Sequence, residues 1–283
     1  MHSNIIIGIV SYNPELIRMQ KNLNTINNQA EEIVVVDNGS QNIDELTLLI
    51  KQYDNIYIIK NERNKGIAAA LNQIGDYAEE KGKPFFLTLD QDSIAPSNLV
   101  EELFRVFDSN EIAIVCPATS SKQHLQTGVN DIAISITSGS LVSTAAWQDV
   151  KGFWEYLFID EVDHEFCYQL QNKGYRIIRN SDVILDHVIG TPTMYKKYGH
   201  VFYPMNHNSF RRYYIARNSI ILHHLYPDKK EPYPHRNIRL MRIMISILFC
   251  ENEKKKKIIA MFKGIKDGII WNMRNKTITS RRE

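Results

Sequence analysis

Cysteine is scarce: the 283 residues hold three, Cys116, Cys167 and Cys250, and no CxxC pair. That excludes a disulfide framework and a thiolate zinc site, and it points to a reducing compartment. Long apolar runs are also missing; none nears the roughly 18 residues that would cross a bilayer. The apolar start, Ile5 to Val10, is too short and lacks the basic leader of a secretory signal. A cytoplasmic protein is expected, resting at most on the inner face of the plasma membrane. Internal repeats and low-complexity linkers are absent. No GxGxxG follows the first apolar run, which argues against a dehydrogenase. Nor does either charge dominate: 34 Lys plus Arg face 32 Asp plus Glu, a net of +2, so the whole chain is no nucleic-acid binder. What remains is ordinary globular composition, 43% hydrophobic and 23% charged. One large domain, or one domain with an appendage, follows from the length.

The near-neutral charge hides a split. From Arg236 to Glu283 there are 13 Lys plus Arg against 4 Asp plus Glu, a net of +9, which leaves −7 for the first 235 residues. The basic segment begins just past Pro232-Tyr233-Pro234, a natural boundary.

The first 115 residues alternate short β-branched runs with helical patterns. Strands are expected at Ile5 to Val10, Ile33 to Val36, Ile56 to Ile59, Phe85 to Leu89 and Ile112 to Val115. Helices are expected at Pro14 to Asn27, Ile43 to Tyr53, Ile67 to Lys81 and Pro96 to Phe107. Later come a strand–loop–strand around Ser138-Gly139-Ser140, a helix entered from the acidic stretch after Phe158, and a strand from Arg176 to Leu185. Continuous apolar strands between helices make an α/β fold with a mostly parallel sheet covered on both faces. In such sheets ligands bind at the carboxyl ends of the strands. Four polar clusters fall there: Ser11-Tyr12-Asn13, Asp37-Asn38-Gly39-Ser40, Asn61 to Gly66, and Asp90 to Ser93. Turn and cap preferences explain any one of them. Four on one rim make a crevice.

Asp90-Gln91-Asp92 sets two carboxylates at a strand end, aimed by the alternation in the direction opposite to Gln91, so that one can meet a ribose while the other meets a metal. Hard divalent ions take one or two protein carboxylates and fill the rest of their shell with phosphate oxygens and water.

The ordered series VSYNP, VVVDNGS, NKGIAAALN and LTLDQDS resembles a family 2 glycosyltransferase of the GT-A fold. With ITSGSL, FIDEVDHEFC, LDHVIG and RRYYIARN downstream, the chain is similar to the bacterial rhamnosyltransferase branch over about residues 4–220. The resemblance implies inverting transfer of a sugar from a nucleotide-diphosphate donor, dTDP-L-rhamnose first among them, onto a saccharide or lipid-linked saccharide acceptor. UDP-galactofuranose, UDP-glucose or a UDP-N-acetylhexosamine are alternative donors, and a binding protein that has lost catalysis is an alternative of another class. The resemblance further implies that Ser11 and Asn13 line the nucleotide pocket and that Asp37 reads the base. It sets Asn64 and Gly66 near the nucleotide and Asp90 near the ribose, with Asn38 and Gln91 in the same set. Asp92 then ligates Mg²⁺ or Mn²⁺ on the diphosphate, with His187 of the HxxG element His187 to Gly190 facing the same group.

An acceptor hydroxyl must lose its proton as it attacks, and a positioned carboxylate contributes about 10²–10⁴-fold in that role. Asp163 aligns with the family base; relatives carry Glu-Asp where this chain has Val162-Asp163, and Asp160 is the runner-up. Acids also favour helix N-termini for purely structural reasons. Arg211 and Arg212 suit phosphate geometry, Ser138 and Gly139 offer donors near the sugar or acceptor, and Trp154 could stack on a sugar ring. His207, His223 and His224 read as structural. The implied organisation is a GT-A domain at 1–235, with a nucleotide half to about 115 and an acceptor half at 116–235, then a basic helical tail at 236–283. In that tail Ile258, Met261, Phe262, Ile265 and Ile269 recur at helical spacing among lysines. A basic amphipathic helix commonly lies on an anionic membrane; packing on the body or a homodimer contact is the alternative.

Overall fold

The computed structural model describes residues 2–120, 127–187, 195–197, 200–202, 204–229 and 236–275. The chain forms two compact units, residues 1–158 with 162–188, and residues 159–161 with 189–283.

The first unit is built on eight strands: β1 (His2–Ser11), β2 (Ala30–Asp37), β3 (Ile56–Lys60), β4 (Phe85–Asp90), β5 (Ile112–Thr119), β6 (Val129–Asp131), β7 (Ser140–Ser143) and β8 (Arg176–Leu185). Their order is β3-β2-β1-β4-β7-β5-β8-β6. Pairing is parallel from β3 to β4 and between β5 and β8, while β7 runs antiparallel to both its neighbours and β6 antiparallel to β8. The sheet is thus mostly parallel, as the apolar runs predict. Helices α1 (Leu16–Ile26), α2 (Ile43–Ile50), α3 (Ile67–Glu80), α4 (Leu99–Phe104), α5 (Thr144–Asp149) and α6 (Val162–Asn172) accompany it. The apolar face of α1, Met19, Leu23 and Ile26, is buried with Ile5, Ile7 and Ile9 of β1 and Leu87 and Leu89 of β4. Burial of such side chains contributes about 1.5–3 kcal/mol each. Helices α2 and α4 stop three residues before their apolar patterns do. Beyond Ile50 and Phe104 the amides of Tyr53 and Phe107 turn back to the carbonyls three residues earlier, which closes the last turn tightly.

The second unit holds α7 (Ser209–Leu225), α8 (Arg236–Cys250) and α9 (Lys254–Arg274), with a hairpin of β9 (Tyr195–Lys197) and β10 (His200–Phe202). Ile215 and Ala216 of α7 share a core with Leu240 and Ile247 of α8 and Met261 of α9. Compactness therefore groups α7 with the basic helices, ahead of the proline boundary read from sequence; Pro232 to Pro234 lie outside the described residues. Among the described residues no helix is long and apolar enough to cross a membrane.

Candidate active site

Three loops at the carboxyl ends of β1, β2 and β3 are knitted together by short polar side chains. Asn13 adopts φ 47°, gives its N–H to Ser40 Oγ at 2.7 Å, and accepts from the Gln41 amide at 2.8 Å. Asp37, 1% exposed, accepts the Gly39 and Ser40 amides on Oδ2 at 3.1 and 3.0 Å. Among the described residues its Oδ1 has no partner, and neither has Ser11 Oγ. These two residues are register-paired on parallel strands, so the orphaned oxygens belong to one face of the rim. Buried polar atoms without partners are rare in folded proteins and call for an explanation.

Asn38 has a different occupation. Its amide donates to Asn64 Oδ1 and the Gly66 carbonyl at 3.2 and 3.0 Å, and its oxygen accepts from Lys65 N–H and Asn61 Nδ2. Asn64 Oδ1 also accepts the Gly66 amide at 2.9 Å. Asn38 and Asn64 thus shape the loop that leads into α3. Gly66 opens that helix at φ 90°, where a Cβ would strike the ring and carbonyl of Phe158.

The Asp90-Gln91-Asp92 turn is held from below by α1. Asn22 Nδ2 donates to the Asp90 carbonyl at 2.9 Å, and Arg18 Nε to the Asp92 carbonyl at 2.7 Å. Gln91 accepts the Tyr12 amide at 2.8 Å, which fixes the β1 loop rather than leaving Gln91 to a ligand. A chain of hydroxyls runs behind the carboxylates. The Asp90 amide donates to Ser138 Oγ at 3.1 Å, Ser138 pairs with Ser93 Oγ at 2.7 Å, and Ser93 pairs with His187 Nδ1 at 2.9 Å. Two backbone bonds between Ile94 and Asp186 bring the His187 segment to the turn. The result is that Asp90, Asp92 and His187 offer ligand atoms all within 4.8 Å of one another. Two carboxylates and an imidazole suit Mn²⁺ or Mg²⁺, and the clustering fits a bound ion. Gly190, the end of the HxxG element, lies outside the described residues.

Gly139 departs from its expected use: its N–H goes to the Thr88 carbonyl at 2.7 Å, so it is a sheet bond and no donor to a sugar. Trp154 is half-buried, with its ring 5.5 Å from that of Tyr156.

Of the two candidate bases, Asp163 stands in the first turn of α6, half-buried. It lines a cavity of about 10 Å³ with Thr88, Thr137, Ser140 and Cys167, room for about one water. Burial first, and then the neighbouring Asp163 charge, push the Cys167 thiol far above its usual range, so it is no nucleophile. Asp160 belongs to the second unit, where Arg211 grips it in a fork at 3.0–3.1 Å. Arg212 is buried there against Glu251, whose other oxygen takes Lys257 Nζ at 3.0 Å. Arg211 and Arg212 are therefore both matched by acids of their own unit. Arg18 and Asn22 were missed by sequence reading, which noted Ser93 only as the end of the Asp90 to Ser93 cluster. Ser93 sits inside LTLDQDS, and Arg18 with Asn22 at i, i+4 was hidden on the polar side of an apolar pattern.

The family model described as Glycosyl transferase family 2 matches residues 6–128. The dTDP-rhamnosyl transferase RfbF of Shigella flexneri is 32% identical, over 78% of this chain and 80% of that protein. S. aureus TarS residues 1–349 share the fold at a TM-score of 0.56 and 16% identity, covering 94% of this chain and 81% of theirs. The same fragment in complex with UDP-GlcNAc gives a TM-score of 0.56 at 15% identity, covering 93% and 81%.

Proposed function

Because the chain belongs to glycosyl transferase family 2, we propose that it moves L-rhamnose from dTDP-L-rhamnose, with inversion, onto a saccharide acceptor carried on a lipid in bacterial cell-surface polysaccharide synthesis. The observation that carries this reading is the meeting of Asp90, Asp92 and His187 at the carboxyl end of the sheet. The Shigella relative, whose name gives the donor, supports rhamnose over other sugars. Work takes place in the cytoplasm, at the inner face of the plasma membrane.

Asp92, with Asp90 and His187, would hold a divalent ion whose charge offsets the charge that builds on the departing diphosphate. Ser11 Oγ and Asp37 Oδ1 supply the base pocket; a ring N–H of thymine satisfies the oxygen that the protein leaves without a partner. Asn13, Asn38, Asn64 and Gly66 shape the loops around that pocket, and Gln91 locks the β1 loop to the carboxylates. Ser138 keeps Ser93 and the Asp90 amide in line, while Trp154 lends a ring face to the acceptor. Asp163 takes the proton from the acceptor hydroxyl. Asp160 is left out of the base role because Arg211 already engages both its oxygens.

The test is product analysis with dTDP-L-rhamnose, UDP sugars and lipid-linked acceptors, on the native chain and on Asp163→Asn. Rhamnosyl transfer is expected from the native chain, with a loss of about 10²–10⁴-fold in kcat for the variant and donor affinity kept. Transfer from a UDP sugar instead would remove the donor assignment, and full activity of Asp163→Asn would remove the base.

A further inference from the structure

We propose that the outer face of α9 is a docking surface for an anionic lipid monolayer. The apolar spacing visible in the sequence mixes two stripes, and packing separates them. Met261 is fully buried, and Ile258 and Ile265 pack against the same core. On that inner side Gly264 and Gly268 bring α9 so close to α7 that a Cβ at Gly264 would collide with the Tyr213 carbonyl, and one at Gly268 would approach Ile220 to 2.8 Å. This stripe is occupied by the protein itself.

The opposite stripe runs Lys255, Ile259, Phe262, Lys266, Ile269, Met273, at the three- and four-residue steps of one helix face. Phe262 is 58% and Met273 63% exposed, and Ile259 and Ile269 are exposed as well. Single exposed apolar side chains need no explanation. Four on one line, interspersed with lysines, do. The only acid in α9 is Asp267, and it turns away from this face to accept the Tyr213 hydroxyl at 2.8 Å. The stripe is therefore apolar and purely cationic.

That charge selects the occupant. A second copy of the chain meeting this face through a twofold axis would set lysine against lysine, and like charges oppose such a contact. An anionic leaflet satisfies both features at once. The apolar side chains enter the acyl boundary while the lysine stems reach back to the headgroups. Each lysine near such a leaflet strengthens partitioning about fivefold, the equivalent of about 1 kcal/mol. The inference is independent of which donor the enzyme uses.

The experiment is sedimentation of the full chain with vesicles of equimolar phosphatidylglycerol and phosphatidylcholine, and with vesicles of phosphatidylcholine alone. Binding is expected to the first set and to weaken as salt rises. The surface variant Phe262→Asp/Ile269→Asp should lose binding by about tenfold or more, because it replaces two apolar side chains that would enter the acyl boundary with carboxylates that the anionic headgroups repel. Its circular dichroism and its turnover with a soluble acceptor should match the native chain. Lys255→Glu/Lys266→Glu should lose binding as well. Equal binding to neutral vesicles would overturn the proposal, as would binding retained by the aspartate variant. No binding at all, with the aspartate variant converting a dimer to a monomer in sedimentation equilibrium, would show the face to be a dimer contact. Failure of the donor assignment would leave every one of these readings unchanged.

Discussion

Asp37 and Glu251 are both buried carboxylates, 1% and 2% exposed, and the chain treats them oppositely. Glu251, in the second unit, has a cation on each oxygen, Arg212 on one and Lys257 on the other. Asp37, at the rim of the first unit, has two backbone amides on one oxygen and, among the described residues, nothing on the other. The same contrast separates Asp160, forked by Arg211, from Asp92, whose carboxylate has no arginine or lysine partner among the described residues. Where acids are fully compensated they fasten helices together. Where they are left partly satisfied at a strand end, the partner proposed for them is the sugar donor or its metal. Buried charges are costly unless paired, so the incomplete pairing at the rim marks function more clearly than the number of acids does.

Exchanging each buried acid for its amide sharpens that contrast. Glu251→Gln leaves Arg212 and Lys257 buried without countercharge, and urea unfolding should report a loss of about 3–5 kcal/mol. Asp37→Asn keeps an oxygen for the Gly39 and Ser40 amides, so its stability should change by about 1 kcal/mol or less. Donor affinity should instead fall about 10–100-fold, from the lost charged acceptor. Equal destabilisation by both changes would break the comparison.

A smaller effect is expected with pH. His207 is pushed down to about 4 by burial, and then by the charges of Arg211 and Arg212 on α7 and Lys257 on α9. It stays neutral in the native state, whereas the unfolded chain takes up its proton near the ordinary 6.5. Stability should therefore be full above about pH 6.5, fall as the pH drops toward 4, and change no further below that through this group. His207→Gln should flatten that part of the profile measured by chemical unfolding. An unchanged slope would contradict the placement of His207 among those cations.

Much of the first unit was legible because its strands are continuous β-branched runs, and these allow one burial pattern only. Asp90, Asp92 and His187 were legible because LTLDQDS and LDHVIG carry them at strand ends. The hydroxyl chain behind them was not. Ser93 meets Ser138 across 45 residues and His187 across 94, and separations of that size leave no local pattern. Arg211 and Arg212 looked available to phosphate for the same reason. Their acids lie 51 and 39 residues away, and only the packing of α7 discloses them. In α9 periodicity announced an amphipathic helix but could not say which of two interleaved apolar stripes the protein covers.

The central claim is that Asp90, Asp92 and His187 join a divalent ion to the diphosphate of the sugar donor. Calorimetric titration of dTDP-L-rhamnose, with and without Mn²⁺, into the native chain and folded Asp92→Ala addresses it most directly. Mn²⁺ should tighten donor binding to the native chain by about tenfold or more, as expected for a charge-assisted contact, and should have no such effect on the variant. Equal Mn²⁺-dependent binding by Asp92→Ala would contradict the account.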